Sequence, residues 1–391
     1  MSERIADRLK ADVYFKQWNK IGEELCGDTV KVVKNHSSCS VVLSDGLGSG
    51  VKANILSTLT AEIISTMLKE GAPLFDTVET VIKTLPIDEE RKIAYSTFTI
   101  IQVHDNGQAY LVNYDNPSPV IIKNLVASEQ EPEEKTMLGR RLLIYHFQLG
   151  ADDFVYLMSD GVLYAGLGKL LNLGWGHEHA RSYLEKITRK HKKVKPVVDN
   201  VMDLVYSYYG GECGDDATLV GIQVKKIQKV VIFTGPPLDP RDDEKVVKKF
   251  MKMKGTRVIC GGTTSNIVSR ITGNTVEIDI QKVNSDLPPV GKMKDVDLVT
   301  EGVLTLTRTF EYLKKCGGDE ELLPPKNLNG ASQLAHILMD ADECHFIVGR
   351  RLNPFYQNPN LPSSISIRKN MVERIVELLK QMGKRVGIEY V

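Results

Sequence analysis

The sequence predicts an α+β fold over residues 1–225, with sheets flanked by helices, followed by a smaller α/β doubly wound, Rossmann-like domain over residues 226–391. In the first part, a long run of strand patterns lies between two pairs of helical patterns. In the second part, beyond a short basic connection at 225–229, short apolar runs alternate with helical segments. A chain of 391 residues is also long for one hydrophobic core, which favours two or three domains.

The first part begins with a polar segment, residues 1–28, which we interpret as a helix followed by a turn. Apolar residues recur at steps of three or four, so we expect one buried face of a helix at Ile55, Leu56, Leu59, Ile63 and Met67. The charged run at 129–135 is typical of a solvated loop. Strands are predicted at 29–33, 40–43, 96–103, 109–113, 119–122, 142–148, 154–158 and 217–224, and helices at 55–67, 75–83, 177–190 and 197–209.

The second part has the alternating order of a parallel sheet covered by helices on both faces. A Pro- and Asn-rich stretch at 353–362 predicts a long loop. Strands are predicted at 230–233, 258–260, 276–280, 296–299, 345–348 and 386–390, and helices at 243–253, 265–271, 304–314, 331–339 and 368–382.

Composition excludes several classes of protein. Fifty basic and fifty acidic residues give a net charge of zero, so no global field would draw the chain to nucleic acid or to an anionic membrane. No apolar run approaches the roughly 18 residues of a membrane span. The six cysteines are scattered, which favours free thiols in a reducing compartment over disulfides or a zinc site. We therefore expect a cytoplasmic protein that binds neither nucleic acid nor membrane.

Aspartates at the edges of apolar runs are the candidate functional residues. Asp45 follows a predicted strand and begins a turn with glycines at 46, 48 and 50. Such a turn is more often simple punctuation or a phosphate cradle than a metal site. Two later stretches strengthen the metal interpretation, because Asp160 follows another strand and Asp215 precedes the last strand of the first part. Carboxylate and carbonyl oxygens are the ligands that Mg²⁺ and Mn²⁺ prefer.

These stretches resemble the metal motifs of the metal-dependent serine/threonine protein phosphatases, the PP2C-like PPM family. Within that family they are most similar to the bacterial branch of stage II sporulation protein E. The resemblance covers about residues 10–225 and none of the second part. Its motifs are Asp45-Gly46, Ser159-Asp160-Gly161 and the run from Gly214 to Thr218, with weaker matches at Gly27-Asp28 and in the Asn113–Pro119 turn.

The resemblance implies a PPM-type sandwich of sheets flanked by helices and two divalent metal ions, Mn²⁺ or Mg²⁺. Carried onto matching positions, it implies that Asp45 bridges both ions and that the Gly46 carbonyl binds one of them. Asp160 and Asp215 would hold the other ion. Two divalent ions can activate a water molecule and neutralise a phosphoryl group, which the slow hydrolysis of phosphate monoesters requires.

Other implied positions are less sharply defined. Asp28 would orient a water molecule at the metals. The doubled aspartate leaves open whether Asp215 or Asp216 is the ligand, and we favour Asp215. No arginine matches the phosphate-binding arginine of the eukaryotic members. A glutamate that often follows the Asp160 motif in relatives is absent from 162–166.

The second part has a candidate anion site where strands are expected to end. Gly261, Gly262, Thr263 and Thr264 open a predicted helix, whose first amides could hold a phosphate or carboxylate. Arg350 and Arg351 could contact the same anion. Ordinary helix caps and turns explain the pattern about equally well. No dinucleotide fingerprint or P-loop is present.

Two functional hypotheses follow. The first is a metal-dependent phosphatase whose second domain senses a ligand or docks a partner. Its substrate would be a phosphoserine or phosphothreonine protein, and the resemblance implies a regulator like an anti-sigma-factor antagonist. The alternative is a small-molecule or nucleotide sensor in which the first domain is a degenerate phosphatase scaffold. The complete set of aspartates favours the first hypothesis.

Overall fold

The computed structural model describes residues 8–35, 37–84, 96–278, 290–351 and 364–391. The chain divides into two compact units, Met1–Lys226 and Ile227–Val391. Within the described ranges, no helix is long and apolar enough to cross a membrane.

The first unit is built on two antiparallel sheets. One sheet has the strand order β1-β11-β10-β6-β7, and the other has the order β2-β3-β4-β5-β9-β8. The strands are β1 (Leu9–Trp18), β2 (Asp28–Lys34), β3 (Ser38–Gly46), β4 (Ser96–His104), β5 (Gln108–Tyr114), β6 (Val120–Lys123), β7 (Val126–Ser128), β8 (Glu133–Met137), β9 (Arg140–Gln148), β10 (Phe154–Met158) and β11 (Ala217–Lys226).

The first unit has four layers in the order helix, sheet, sheet and helix, and a hydrophobic core lies between each pair of neighbouring layers. Buried side chains of both sheets, such as Leu43 and Val220, meet in the middle core. The outer cores are closed by helices, since Ile64 packs against one sheet and Val201 against the other. The helices are α1 (Gly50–Lys69), α2 (Leu74–Thr84), α3 (Asp160–Leu163), α4 (His177–His191) and α5 (Val194–Tyr208). The predicted sandwich of sheets flanked by helices is confirmed.

The predicted N-terminal helix is wrong where the structure describes it. Leu9–Trp18 forms β1, which pairs with the whole length of β11 from Leu9 opposite Lys226 to Trp18 opposite Ala217. Val, Tyr, Phe and Trp within this strand favour extended structure, and pairing with a central strand outweighs its polar composition. The charged run predicted as a loop is likewise extended in part, because Glu133 begins β8.

The predicted helix α1 is confirmed, but its predicted buried face is wrong at Ile55 and Leu59, whereas Ile63 does pack against the core. Ile55 and Leu59 are 58% and 50% exposed. Small residues such as Ala53 and Ala61 are buried instead. A Cβ on Gly46 would lie 2.0 Å from the Ala53 carbonyl oxygen, so α1 packs too closely on the sheet for larger side chains there.

The second unit is a mixed sheet of order β14-β15-β16-β13-β12-β17-β18. The five strands from β16 to β18 in that order are parallel, while β14 and β15 extend one edge antiparallel. The strands are β12 (Lys229–Thr234), β13 (Thr256–Cys260), β14 (Glu277–Ile278), β15 (Gly291–Met293), β16 (Val296–Thr300), β17 (Glu343–Val348) and β18 (Arg385–Tyr390).

Helices cover both faces of this sheet, as a doubly wound fold requires. Val247 and Val268 belong to the core on one face, and Leu306, Leu334 and Ile375 belong to the core on the other. The helices are α6 (Asp243–Lys252), α7 (Gly262–Thr272), α8 (Val303–Cys316), α9 (Gly330–Asp340) and α10 (Ser364–Gln381). The predicted α/β class is confirmed, and the loop predicted at 353–362 lies outside the described residues.

Candidate functional site

The first pair of site aspartates comes from neighbouring strands of one sheet. Asp28 on β2 lies directly opposite Asp45 on β3 in the antiparallel register. Side chains at opposed positions have Cβ atoms about 4.5–5.5 Å apart. The amide of Gly46 donates to the Gly27 carbonyl at 3.2 Å, so the pairing continues to the last residue of β3. Two acids are therefore held side by side at one end of this sheet.

The other sheet supplies three further aspartates. Asp160 is the first residue of α3, directly after β10, and Asp215 and Asp216 precede β11. Strands β10 and β11 are neighbours, and the Ser159 amide donates to the Thr218 carbonyl at 3.0 Å. A Cβ on Gly161 would lie 2.1 Å from the Asp216 carbonyl oxygen, so only glycine permits this close contact.

The charges that act on Asp45 come from both groups of aspartates. We therefore treat the five residues as one acidic set, which consists of Asp28, Asp45, Asp160, Asp215 and Asp216. Burial is the largest cause of the raised pKa of Asp45, and the charges of Asp28, Asp160, Asp215 and Asp216 act in the same direction; together they raise this pKa to about 9. Burial is also the main cause of the raised pKa values of Asp160 and Asp215. The five aspartates that the sequence singled out thus lie close enough to repel one another.

Asp28 is oriented by hydrogen bonds from the sheet that contains β10 and β11. Its side chain is 3% exposed, and the Thr218 hydroxyl donates to its Oδ2 at 2.6 Å. Burial raises the pKa of Asp28 to about 7, although hydrogen bonds from Thr218 and Ser159 oppose the rise. Gln17 supports the arrangement by donating to the Thr218 hydroxyl at 3.0 Å and to the Asp28 carbonyl at 3.2 Å.

Asp215 and Asp216 have different surroundings. Asp216 is 5% exposed, and its Oδ1 accepts from the Lys20 amide at 3.0 Å. The Asp215 side chain is 42% exposed, and its Oδ1 lies 3.9 Å from the Lys20 ammonium. The choice between these two ligands therefore stays a prediction, since each carboxylate contributes to the acidic set.

Two buried carboxylate oxygens have no hydrogen-bond partner, Asp28 Oδ1 and Asp216 Oδ2. An unpartnered buried acceptor is costly, and a divalent cation is a ligand that would satisfy it. Among the described residues, no three acidic, histidine or cysteine groups form a ready ligand cage. The donor chemistry fits a hard cation, which would have to draw these mutually repelling carboxylates closer together.

A buried polar network supports the backbone of Asp45. Ser96 donates to the Asp45 carbonyl at 3.0 Å and shares a 2.6 Å hydrogen bond with Ser44. Asn116 donates to the Leu43 carbonyl at 3.4 Å and to the Thr99 hydroxyl at 3.1 Å. The turn at Asn113–Pro119, whose sequence is only a weak match to the family, thus reaches the strand that carries Asp45.

The second unit brings part of the predicted anion site together. Gly261 is the N-cap residue of α7, no side chain caps this helix, and Gly262 has open space around its Cα. Thr264, however, is buried and its hydroxyl accepts from the Gly235 amide at 2.9 Å. Thr263 opens the same helix turn. Gly261 and Gly262 therefore lie at an uncapped helix start, whereas Thr264 stabilises the fold.

The two arginines of that prediction lie after β17, which is separated from β13 by β12. Adjacent strands are about 4.8 Å apart, which places them roughly 10 Å from α7. Arg350 is exposed. The Arg351 guanidinium is 3.4 Å from the buried carboxylate of Asp243, which also accepts from Arg270 at 2.8 Å. Arg351 thus already has an internal acidic partner.

Three residues at the acidic set were not predicted from the sequence: Gln17, Lys20 and Thr218. Thr218 ends the motif from Gly214 to Thr218, but that motif gives no sign of its hydrogen bond to Asp28. Gln17 and Lys20 lay in the segment interpreted as a helix and turn, so their contacts with residues near 216 were not foreseeable. Strand propensity in β1 was the available signal.

The model of the Stage II sporulation protein E (SpoIIE) family matches residues 35–225. No curated protein matches the sequence. Among solved structures, the RsbU and RsbW domains of a Mycobacterium tuberculosis protein align at 15% identity over 62% of this chain and 68% of theirs, with a TM-score of 0.47. The phosphatase domain and regulatory fragment of SpoIIE from Bacillus subtilis align at 18% identity, over 56% of this chain and 63% of that chain, with a TM-score of 0.49.

A further alignment is to the PP2C domain of SiaA from Pseudomonas aeruginosa, at 14% identity over 54% of this chain and 85% of that domain, with a TM-score of 0.42. At such identities and TM-scores the alignments add no functional argument. The family match stands apart from them and includes Asp45, Asp160, Asp215 and Asp216. Residues 35–225 of this chain therefore form a PP2C-type phosphatase domain of the Stage II sporulation protein E family.

Proposed function

We propose that the chain is a metal-dependent phosphoprotein phosphatase that hydrolyses phosphoserine or phosphothreonine. One observation carries this proposal: the ends of both sheets direct five aspartates to one acidic set, in which two buried carboxylate oxygens have no partner. Such a set is costly without cations, because burial and repulsion raise the pKa values of four members, Asp28, Asp45, Asp160 and Asp215. Perturbed acids of this kind are typical of functional sites.

The residues around the set have distinct roles in this proposal. Two divalent cations bound there would neutralise phosphoryl oxygens and make water a stronger nucleophile. Asp45 lies where the charges of both sheets act together, and it would serve both cation positions with the Gly46 carbonyl beside it. Asp160 and either Asp215 or Asp216 would hold the cations from the second sheet. Asp28, fixed by Thr218, would orient a water molecule through its unpartnered Oδ1.

We further propose a class of substrate for the first unit and a regulatory role for the second unit. Membership of the family supports a phosphorylated regulatory protein as substrate, such as an antagonist of an anti-sigma factor. For the second unit we propose a regulatory role through a small anion or an acidic group of a partner. The uncapped first turn at Gly261 and Gly262 supports an anion site, and Arg350 is the exposed arginine that could assist it.

Hydrolysis by the full chain tests the phosphatase proposal. We expect p-nitrophenyl phosphate and a phosphoserine peptide to be hydrolysed with Mn²⁺ or Mg²⁺, and activity to cease with EDTA. Asp45→Asn should remove nearly all turnover while preserving the circular dichroism spectrum. Activity that survives both EDTA and this substitution would contradict the mechanism. Absence of turnover with several divalent cations, in folded protein, would favour the degenerate-scaffold alternative.

A further inference from the structure

Lys20 lies beside the acidic set because the backbone fixes it there. Its amide donates to Asp216 Oδ1 at 3.0 Å, and the next amide, that of Ile21, donates to the Cys213 carbonyl at 2.8 Å. Its carbonyl also accepts from the Glu23 amide at 3.0 Å. The position of this residue is therefore set by the segment that precedes β11, independently of its side chain.

The Lys20 side chain has the right charge and only a weak partner. It forms an ion pair with Asp215, one of the five aspartates. The ammonium is 3.9 Å from Asp215 Oδ1, and both side chains are more than a third exposed. A long, solvated ion pair contributes little to stability. By contrast, Lys16 on the same segment of chain forms a 2.6 Å contact with Asp203.

We propose that Lys20 binds the phosphoryl group of the substrate. This inference rests on the proposed phosphatase function. A phosphate monoester that approaches five carboxylates meets repulsion, and a lysine ammonium at their edge supplies a compact positive charge for a phosphoryl oxygen. Because the contact with Asp215 is long and solvated, it would compete little with a phosphoryl oxygen for the Lys20 ammonium.

A role as a counter-ion for Asp215 alone makes a different prediction. Removing a counter-ion would change the affinity of the acidic set for Mn²⁺ or the stability of the fold. Removing a side chain that binds phosphate would instead weaken the binding of substrate and of inorganic phosphate. The two roles can therefore be separated by measuring both affinities in one set of variants.

The experiment compares Lys20→Met, Lys20→Arg and the control Lys16→Met in the full chain. For Lys20→Met we expect KM for p-nitrophenyl phosphate and Ki for inorganic phosphate to rise together by about tenfold or more, since a charged contact is lost. The Mn²⁺ affinity, measured by calorimetry without substrate, should be unchanged or tighter. Lys20→Arg should recover most of the phosphate affinity, and Lys16→Met should resemble the parent.

Calorimetric binding of inorganic phosphate to the Mn²⁺-loaded protein keeps the test independent of turnover. If the parent lacks activity but binds phosphate through Lys20, the proposed function fails, while the contact of Lys20 with phosphate stands by itself. The inference is overturned if Lys20→Met binds phosphate as tightly as the parent does. It is equally overturned if the variant loses Mn²⁺ affinity or folding while its Ki for phosphate stays the same.

Discussion

Replacing Asp45 by Asn should make the metal-free protein more stable while removing its response to metal. Asp45 has a pKa of about 9 in the fold, against an ordinary value of 3.8, chiefly because it is buried and also because four other aspartates surround it. An acid whose pKa rises on folding costs no stability below its unfolded pKa. The cost grows as the pH rises toward the folded pKa, and is complete above it.

The structure gives the size of this effect. At pH 7.5 Asp45 is ionised in the unfolded state and protonated in the folded state. The cost of this protonation to the free energy of folding grows over the 7.5 − 3.8 = 3.7 pH units between the unfolded pKa and the working pH. At about 1.36 kcal/mol per unit, this is an upper bound of about 5 kcal/mol. Because the acids titrate together and asparagine must also be buried, we expect a gain of about 2–5 kcal/mol for Asp45→Asn. For a unit of this size that raises Tm by roughly 5–15 °C.

Thermal unfolding in EDTA, from pH 5 to pH 8, is the assay. The Tm of the parent should fall as the pH rises through this window, and the curve of Asp45→Asn should be flatter. Adding Mn²⁺ should raise the Tm of the parent strongly at pH 8 and that of the variant little. Asp203→Asn is the matched control, since Asp203 is 65% exposed and should change stability little. A variant less stable than the parent in EDTA at pH 7.5 would refute the reasoning, as would an undiminished response to Mn²⁺.

Three further predictions concern the supports of the site and the second unit. Asn116→Ala removes the donor to the Leu43 carbonyl, so Mn²⁺ affinity and kcat should fall about three- to tenfold, with Asn106→Ala as an exposed control; equal effects of the two would count against the network. A fragment ending at Lys226 should fold alone and keep metal-dependent turnover, and an insoluble fragment would show that the two units depend on each other. Sulfate, nucleotides and phosphorylated metabolites should raise the Tm of the full chain, and Arg350→Ala should reduce this rise; an unchanged Tm with every anion would exclude the anion site. Arg351→Ala should instead lower the Tm without any anion, since it leaves Asp243 with one arginine.

Much of the fold could be predicted because apolar periodicity records which faces are buried. The strand that carries Asp45 and the strand that precedes Asp160 were found from their apolar runs, and so was the alternation that defines the second unit. The face of α1 could not be found in this way. Close packing against the sheet selects Ala53 and Ala61 there, and periodicity of large side chains gives no sign of that contact.

The acidic set was predicted residue by residue, whereas its supports depend on contacts distant in sequence. Thr218 bonds to Asp28 across 190 positions, and Lys20 contacts Asp216 across 196. Such contacts follow from pairing β1 with β11, and the misinterpreted N-terminal segment hid them. At the predicted anion site, the contact of Arg351 with Asp243 was hidden for a similar reason, because it joins segments 108 residues apart.

The central claim is that the five aspartates form one centre for divalent cations. Anomalous scattering from a crystal of the full chain soaked in Mn²⁺ tests it most directly. We predict anomalous peaks in contact with Asp45 and with at least one of Asp160, Asp215 and Asp216, and loss of these peaks in Asp45→Asn. Peaks confined to other parts of the protein, or none at Mn²⁺ concentrations that support turnover, would contradict it.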